Sequence, residues 1–123
     1  MPIDANNHLC PMDPLLRLIS SRWTSYIVWQ LQNHPGIRFG ALQNQVPGIS
    51  AKMLTERLRE LENAGLVTRH IEPTRPPQVS YELTEQARAL RGALDALHKV
   101  AEDWKQQGWS ADTGFPQKAT LPS

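Results

Sequence analysis

Residues 48–67 read GISAKMLTERLRELENAGLV, and this stretch decides the fold. It predicts one helix with a marked start and a marked end. Ser50 suits the N-cap, because its hydroxyl accepts a hydrogen bond from a first-turn N–H group. Gly65 suits the C′ position, because a residue without a Cβ atom adopts the left-handed conformation that ends a helix. Leu54, Leu58 and Leu61 recur between them at helical spacing and predict one buried stripe.

The opposite side of this predicted helix is polar. It carries Lys52, Glu56, Arg59 and Asn63, with Thr55 at the flank. A short helix that presents such side chains to solvent suits the major groove of DNA. An ordinary solvated face is the alternative, since the acidic residues of the helix dilute its positive charge. The rest of the chain distinguishes the two.

Length and composition limit the classes of protein to consider. The 123 residues allow one domain, and the net charge of +1 argues neither for nor against nucleic acid. The single cysteine excludes an intramolecular disulfide and indicates a reducing cytoplasm. No apolar run reaches the roughly 20 residues of a membrane span, and residues 1–9 lack the pattern of a secretory signal. Catalytic motifs and clusters of metal ligands are absent from the sequence, and the four histidines are scattered.

Two helices are predicted at the start of the folded chain. Asp13 and Pro14 suggest an N-cap followed by a first-turn proline, and Ser20-Ser21 suggests a break. A second helix is expected from about Arg22 to Asn33, ended by His34-Pro35-Gly36. Its apolar face should be the centre of the core and comprises Trp23, Tyr26, Ile27, Val28 and Leu31.

A helix-turn-helix unit and a β-hairpin are predicted next. Residues 37–39 form a short extended piece, residues 40–46 a short helix, and Pro47-Gly48 the turn before the helix at Ser50. Residues 66–72 and 79–83 alternate and are expected to pair as antiparallel strands. The proline-rich loop between them carries Arg75.

A long last helix is predicted from Glu85 to about Gln107, capped by Thr84. Its apolar stripe has no further element of this chain to cover it, which indicates a partner subunit. The stripe comprises Leu90, Leu94, Leu97, Val100, Ala101 and Trp104. The expected organisation is a flexible arm at 1–9, a folded domain with a C-terminal dimerisation helix at 10–107, and a mobile tail at 108–123.

Several ordered motifs resemble those of the HxlR-type branch of the MarR-like transcriptional regulators. They are Cys10-Pro11, Arg22-Trp23, residues 38–42 (RFGAL), 47–55 (PGISAKMLT), 58–61 (LREL), 64–67 (AGLV) and 79–84 (VSYELT). The match extends from about Cys10 to Trp104. Ser21 and Arg22 stand where the family commonly has a small residue and Lys, and Ala87 stands where many members carry Gly; neither departure opposes DNA binding.

The resemblance implies a winged helix-turn-helix, mainly α with a small β-hairpin. It also implies a homodimer, built through the first and last helices, that binds a palindromic or repeated DNA operator without cofactor, metal or catalysis. In this chain the expected interface residues are Leu15, Leu18, Leu90, Leu94, Leu97 and Trp104. The expected location is the cytoplasm, in association with the nucleoid.

The expected DNA-binding residues are Arg38, Ser50, Ala51, Lys52, Thr55, Arg59, Arg69, His70 and Arg75. Lys52, Thr55 and Arg59 share one exposed face, and we expect them to contact base edges and nearby phosphates. The free N–H groups of the first turn after Ser50 are suited to binding a backbone phosphate. Arg38, at the start of the helix-turn-helix, is suited to the same role. Arg69, His70 and Arg75 give the hairpin a basic edge, although a solvated strand position also explains His70.

Cys10 is the one reactive group. It precedes a predicted helix, whose positive end favours a thiolate, although Asp13 partly opposes this effect. The resemblance implies sensing of oxidants or electrophiles at this place. The alternative is a partly buried, inert thiol or a residue retained without a sensing role. Without a second cysteine, a signal requires an adduct or a bond to the partner's Cys10. A winged helix that docks proteins without binding specific DNA is the alternative function for the whole chain.

Overall fold

The computed structural model describes residues 10–109. The expectations of a flexible arm at 1–9 and of a mobile tail over 110–123 lie outside the described residues. The chain divides into two compact units between Ala89 and Leu90, and each is described here by itself. The boundaries of the folded domain that the sequence suggested stay a prediction.

The first unit begins with α1 (Met12–Ser20) and α2 (Arg22–Asn33), separated by Ser21 as predicted. The prediction that Asp13 caps α1 is wrong. Pro11 already has helical backbone angles, so α1 begins before Asp13, whose carboxylate instead lies 2.9 Å from the Arg17 guanidinium one turn later.

The helix-turn-helix follows a short strand, β1 (Ile37–Arg38). Its first helix is α3 (Phe39–Gln45) and its second is α4 (Ala51–Asn63). Apolar side chains of these helices and of α2 form the core, which is joined by residues of the sheet. The fully buried large side chains are Ile27, Leu31, Leu42, Val46, Leu54, Leu58 and Leu61.

The predicted hairpin consists of β2 (Val67–Glu72) and β3 (Gln78–Leu83), and we call residues 67–83 the wing. β1 adds a third strand on the other side of β3, so the sheet order is β1-β3-β2 and both pairings are antiparallel. The predicted fold class, a mainly α winged helix-turn-helix with a small β element, is confirmed.

Tyr26 was expected in the core, and that prediction is wrong. Its ring remains 37% exposed at the edge of α2. The smaller Thr24 is buried instead, and its hydroxyl accepts a hydrogen bond of 2.9 Å from Ser21. A tyrosine at the edge of an apolar face keeps its hydroxyl in water, which burial would deny it.

The single long last helix was also a wrong prediction. The first unit ends with α5 (Glu85–Arg88), and the second contains α6 (Arg91–Gln106). Thr84 caps α5 as predicted, since its hydroxyl accepts a hydrogen bond from Ala87 N–H at 3.2 Å. The amide of Ala89 donates to the Gln86 carbonyl three residues back, which tightens the chain and ends α5 before α6 begins.

Candidate nucleic-acid interface

The N-terminus of α4 is fixed by its cap and by the turn before it. Ser50 Oγ accepts a hydrogen bond from Met53 N–H at 3.0 Å, which confirms the predicted N-cap. Gly48 has a φ of +84°, a conformation that favours glycine, and a Cβ there would lie 3.7 Å from the Trp23 ring. The Gln43 amide donates to the Ile49 carbonyl at 3.3 Å, so α3 holds the residue before the cap.

The C-terminus of α4 ends in a Schellman motif. Gly65, with a φ of +79°, donates its N–H to the Glu62 carbonyl, and Leu66 donates to the Leu61 carbonyl, both at 3.0 Å. Gly65 thus occupies the predicted C′ position. The Thr84 hydroxyl donates to the Gly65 carbonyl at 2.8 Å, which ties the end of α4 to the end of the wing.

The outer face of α4 carries the predicted helix contacts. Lys52 and Arg59 are exposed, and neither has an ion-pair partner among residues 10–109. Thr55 is only partly exposed, and its hydroxyl donates to the Ala51 carbonyl at 2.8 Å. Its proton is therefore already engaged, which leaves the oxygen as an acceptor and the methyl group for apolar contact.

The first turn of α4 is open to an anion. Ser50 and Ala51 are both exposed, and the first N–H groups of a helix have no acceptor within the helix. The Ser50 hydroxyl accepts a hydrogen bond from only one of these groups, the N–H of Met53. The remaining first-turn N–H groups and the positive end of the helix dipole suit a backbone phosphate.

The wing face towards α4 contains an ion pair and a buried phenol. Arg69 Nε lies 3.4 Å from Glu62 Oε2 of α4. Tyr81 lies directly opposite Arg69 in the sheet and is buried. Burial raises the pKa of Tyr81, and the nearby guanidinium groups of Arg69 and Arg59 oppose that rise. Arg69 thus links the wing to α4 through its ion pair with Glu62.

On the other face of the sheet, two more of the predicted DNA contacts lie beside carboxylates. Arg38 of β1 reaches across β3 to Glu72 of β2, with 3.4 Å between Nη2 and Oε1. Glu82 lies between His70, whose Nε2 is 3.8 Å away, and Arg88, whose Nη2 is 3.6 Å away. These carboxylate partners were not predictable from the sequence, because their proximity depends on strand register.

Arg75 lies in the exposed loop of the wing. It has no ion-pair partner in the part of the chain that the structure describes. The predicted cations thus divide into two sets. Lys52, Arg59 and Arg75 are unpaired, whereas Arg38, Arg69 and His70 each lie within 3.8 Å of a carboxylate.

Cys10 lies outside this surface, just before α1. It is an exposed free thiol, and its Sγ accepts a hydrogen bond from Met12 N–H at 3.4 Å. The exposure argues against a partly buried thiol, and a residue without a sensing role remains the alternative. The structure does not bring Cys10 together with another thiol within residues 10–109.

Each unit has an apolar helix face that is left uncovered. On α1 the exposed side chains are Met12, Leu15, Leu16 and Ile19, while Leu18 is partly exposed. On α6, Leu97 and Trp104 are 52% and 45% exposed, and Val100 is exposed beside them. Leu90 and Leu94 are partly exposed. Trp104 packs edge-on against Trp109, with 4.9 Å between ring centroids.

The described chain holds no group of three or more metal-ligating side chains. It also holds no helix that is long and apolar enough to cross a bilayer.

Comparison with known families and relatives shows which regulators the chain resembles. Residues 18–108 match the family model described as HxlR-like helix-turn-helix. An uncharacterised helix-turn-helix transcriptional regulator of Synechocystis, sll1512, is 36% identical over 106 residues, which cover 86% of this chain and 78% of the relative. The transcriptional regulator YodB of Bacillus subtilis is 36% identical over 103 residues, which cover 83% of this chain and 91% of YodB.

Solved structures of regulators have the same fold. A MarR-family regulator of Porphyromonas gingivalis superposes with a TM-score of 0.69 at 33% identity, covering 76% of this chain and 90% of that one. The reduced form of YodB gives a TM-score of 0.66 at 36% identity, with 76% and 92% covered. The redox regulator HypR in its oxidised form gives 0.69 at 32% identity, with 76% and 96% covered.

Proposed function

This chain belongs to the HxlR-like helix-turn-helix family and is a transcriptional regulator of the helix-turn-helix type, and we propose that it binds a specific DNA operator as a homodimer. The family and the named relatives are regulators rather than enzymes, as the sequence predicted. The observation that supports operator binding is the outer face of α4, where exposed, unpaired Lys52 and Arg59 flank Thr55 on a helix fixed at both ends. Such binding implies association with the nucleoid.

The proposed dimer rests on the uncovered apolar faces of α1 and α6. Exposed apolar side chains of this number on a short chain are typical of a protein interface. Two α4 helices related by a two-fold axis then enter successive major grooves, which predicts a palindromic or repeated site with half-sites about one helical turn apart.

Selection of bound duplexes from a random library, followed by titration at several salt concentrations, tests operator binding. We expect one enriched motif of roughly 15–25 base pairs and an affinity that falls steeply with salt. A module that only docks proteins selects no motif and shows no specific affinity, so that result would overturn the proposal.

Sedimentation analysis tests the dimer. Leu97→Glu places a charge in the proposed interface at a side chain that is already half exposed, so the variant should remain folded, become monomeric and lose operator binding. Gln106→Glu adds the same charge on the opposite side of α6 and should remain dimeric. A wild-type monomer at micromolar concentration contradicts the proposed assembly.

We further propose that oxidants or electrophiles release the operator through Cys10. Its thiol is exposed and is held by Met12 N–H before a helix with an uncovered apolar face. An azo oxidant such as diamide would join the two Cys10 thiols of a dimer, gaining both hydrogens as the disulfide forms. With a quinone, the sulfur adds to ring carbon and the proton passes to the quinone oxygen.

One operator titrated with wild type and with Cys10→Ser, in the presence and absence of each reagent, tests this role. Wild type should lose affinity on treatment, whereas the variant should bind without responding. An equal response of the two proteins would show that Cys10 is not the sensor. Dithiothreitol should reverse the diamide effect and leave the quinone effect unchanged, since only the disulfide is reducible.

A further inference from the structure

Hydrogen bonds around Thr84 join the end of α4 to the start of α5. The Thr84 hydroxyl accepts a hydrogen bond from Ala87 N–H at 3.2 Å, which caps α5. The same hydroxyl donates to the Gly65 carbonyl at 2.8 Å, and Thr84 N–H donates to the Leu66 carbonyl at 3.0 Å. One residue therefore holds the two helix ends together through both its side chain and its backbone.

The Gly65 carbonyl has a direction that α4 itself determines. Gly65 N–H donates to the Glu62 carbonyl within the Schellman motif, so the peptide after the helix is fixed relative to the last turn of α4. The first turn of α5 approaches this point closely, since a Cβ atom at Gly65 would lie 3.9 Å from Gln86 Oε1. The bond from Thr84 to Gly65 thus joins two elements at a defined point and in a defined direction.

Solvent exposure indicates what this bond contributes. Gly65 is exposed, so water can replace the Thr84 hydroxyl at its carbonyl, and loss of the bond leaves no buried group without a partner. The stability of the protein should therefore depend little on this bond. Its main effect is on direction, because it fixes α5 relative to α4.

The chain that leaves α5 leads directly to part of the proposed dimer interface. Only Ala89 and Leu90 separate α5 from α6, which carries the exposed apolar side chains of Leu97 and Trp104. In a two-fold dimer, the distance and rotation between the two α4 helices depend on how each α4 is held relative to the interface. The bond from Thr84 to Gly65 lies on the covalent route between the two.

We propose that the hydrogen bond from Thr84 to the Gly65 carbonyl sets the half-site spacing that the dimer accepts. This inference rests on the proposed operator binding by a homodimer. Thr84 is then a positioning residue, which acts through α4 and needs no contact with DNA. One added base pair moves a half-site by about 3.4 Å and rotates it by about 34°. A firmly held α4 loses contact with the displaced half-site, whereas a loosely held one follows it.

Three substitutions at Thr84 separate the bond to Gly65 from the cap of α5. Thr84→Ser keeps a hydroxyl that both accepts and donates. Thr84→Asp is a good N-cap, but its carboxylate has no proton to donate to the Gly65 carbonyl. Thr84→Ala loses both interactions. Thermal melting should therefore place Thr84→Ala lowest of the four proteins, because it alone lacks the cap.

Each protein is titrated on the selected operator and on versions with one base pair added or removed between the half-sites. Wild type and Thr84→Ser should bind the altered versions about tenfold more weakly than the operator. For Thr84→Asp and Thr84→Ala this ratio should shrink to about threefold or less, since α4 can follow the displaced half-site. The ratio is taken within each protein, so the charge of the aspartate, which acts on all duplexes alike, cancels.

The outcomes separate the bond, the cap and the proposed function. If Thr84→Asp keeps the wild-type ratio, the bond to Gly65 does not set the spacing and the inference is overturned, whether or not Thr84→Ala loses discrimination through its missing cap. If wild type selects an operator but shows no spacing preference, the proposed pairing of half-sites by a dimer is wrong. If wild type selects no operator at all, the proposed function fails and the inference fails with it.

Discussion

The helix α4 and the wing both carry predicted DNA contacts that are exposed or partly exposed, yet the electrostatics of the two elements differ. Lys52 and Arg59 of α4 have no ion-pair partner within residues 10–109, whereas Arg69 and His70 of the wing lie within 3.8 Å of carboxylates. An unpaired cation exchanges water for phosphate directly, but a paired one must first separate from its partner. We therefore propose that the unpaired cations, more than the paired ones, contact DNA.

The sharpest test of this difference compares two arginines. Arg59→Ala should cost about 1–3 kcal/mol of operator binding and relax the preference at one position in each half-site. Arg38→Ala removes a cation that Glu72 already pairs, and should cost less than about 0.5 kcal/mol. Titration of both variants on the selected operator and on random DNA separates the roles. An equal loss for Arg59→Ala on both DNAs would assign it to phosphate alone.

The N-cap provides the next largest effect, and it acts on α4 alone. Ser50→Ala removes the hydrogen bond to Met53 N–H and should lower the stability of the protein by about 1 kcal/mol. Operator affinity should fall as well, because the first turn would no longer be held for phosphate. Ser50→Thr keeps the hydroxyl and should retain both properties in thermal melts and titrations. If Ser50→Ala melts like wild type, the cap contributes little here.

Salt dependence distinguishes the single free cation of the wing from the paired ones. Arg75→Gln should lower the slope of log K against log salt by about 1 for each protomer, because one phosphate contact is lost. Glu72→Gln leaves Arg38 unpaired and should raise the slope, since a further cation becomes available. Equal slopes for Arg75→Gln and wild type would remove Arg75 from the interface and weaken the contrast between helix and wing.

Thr55 should give the smallest effect. Its hydroxyl donates to Ala51, so Thr55→Val keeps the shape and a methyl group and loses that exposed bond within the helix together with one acceptor for DNA. Operator affinity should change by less than about 0.5 kcal/mol, within the range of ordinary surface substitutions. A tenfold loss in the same titration would show that the oxygen accepts a hydrogen bond from a base or from a bridging water.

Local chemistry explains which parts of the fold were predictable. The caps at Ser50, Gly65 and Thr84 each depend on groups within a few residues, and all three occur where the sequence placed them. The division of the last helix was not predictable in this way, because Ala89 and Leu90 are good helix formers. The third strand was missed as a partner of the hairpin, since two residues of β1 carry no periodicity.

The sequence predicted which residues of the candidate site share one face, but it did not predict the ion pairs that they form. Helical spacing placed Lys52, Thr55 and Arg59 together. The pairing of Arg38 with Glu72 joins residues 34 positions apart and depends on the register of all three strands. The prediction of Asp13 as a cap failed because α1 begins earlier, at Met12, so the Asp13 carboxylate lies inside the first turn and pairs with Arg17. The DNA-binding and interface residues themselves stay predictions.

The residues that fix the two ends of α4 are separate from those on its outer face, and this separation affects how DNA preference can change in evolution. The helix is held by Ser50 at one end, by Gly65 at the other and by a leucine stripe beneath, and none of these groups projects from the outer face. Exchanging the residues at positions 52, 56 and 59 thus alters the surface offered to DNA without removing anything that folds the chain. Under the proposed operator binding, the preferred sequence would change one side chain at a time, and duplicated copies of the gene would acquire new targets through stable intermediates.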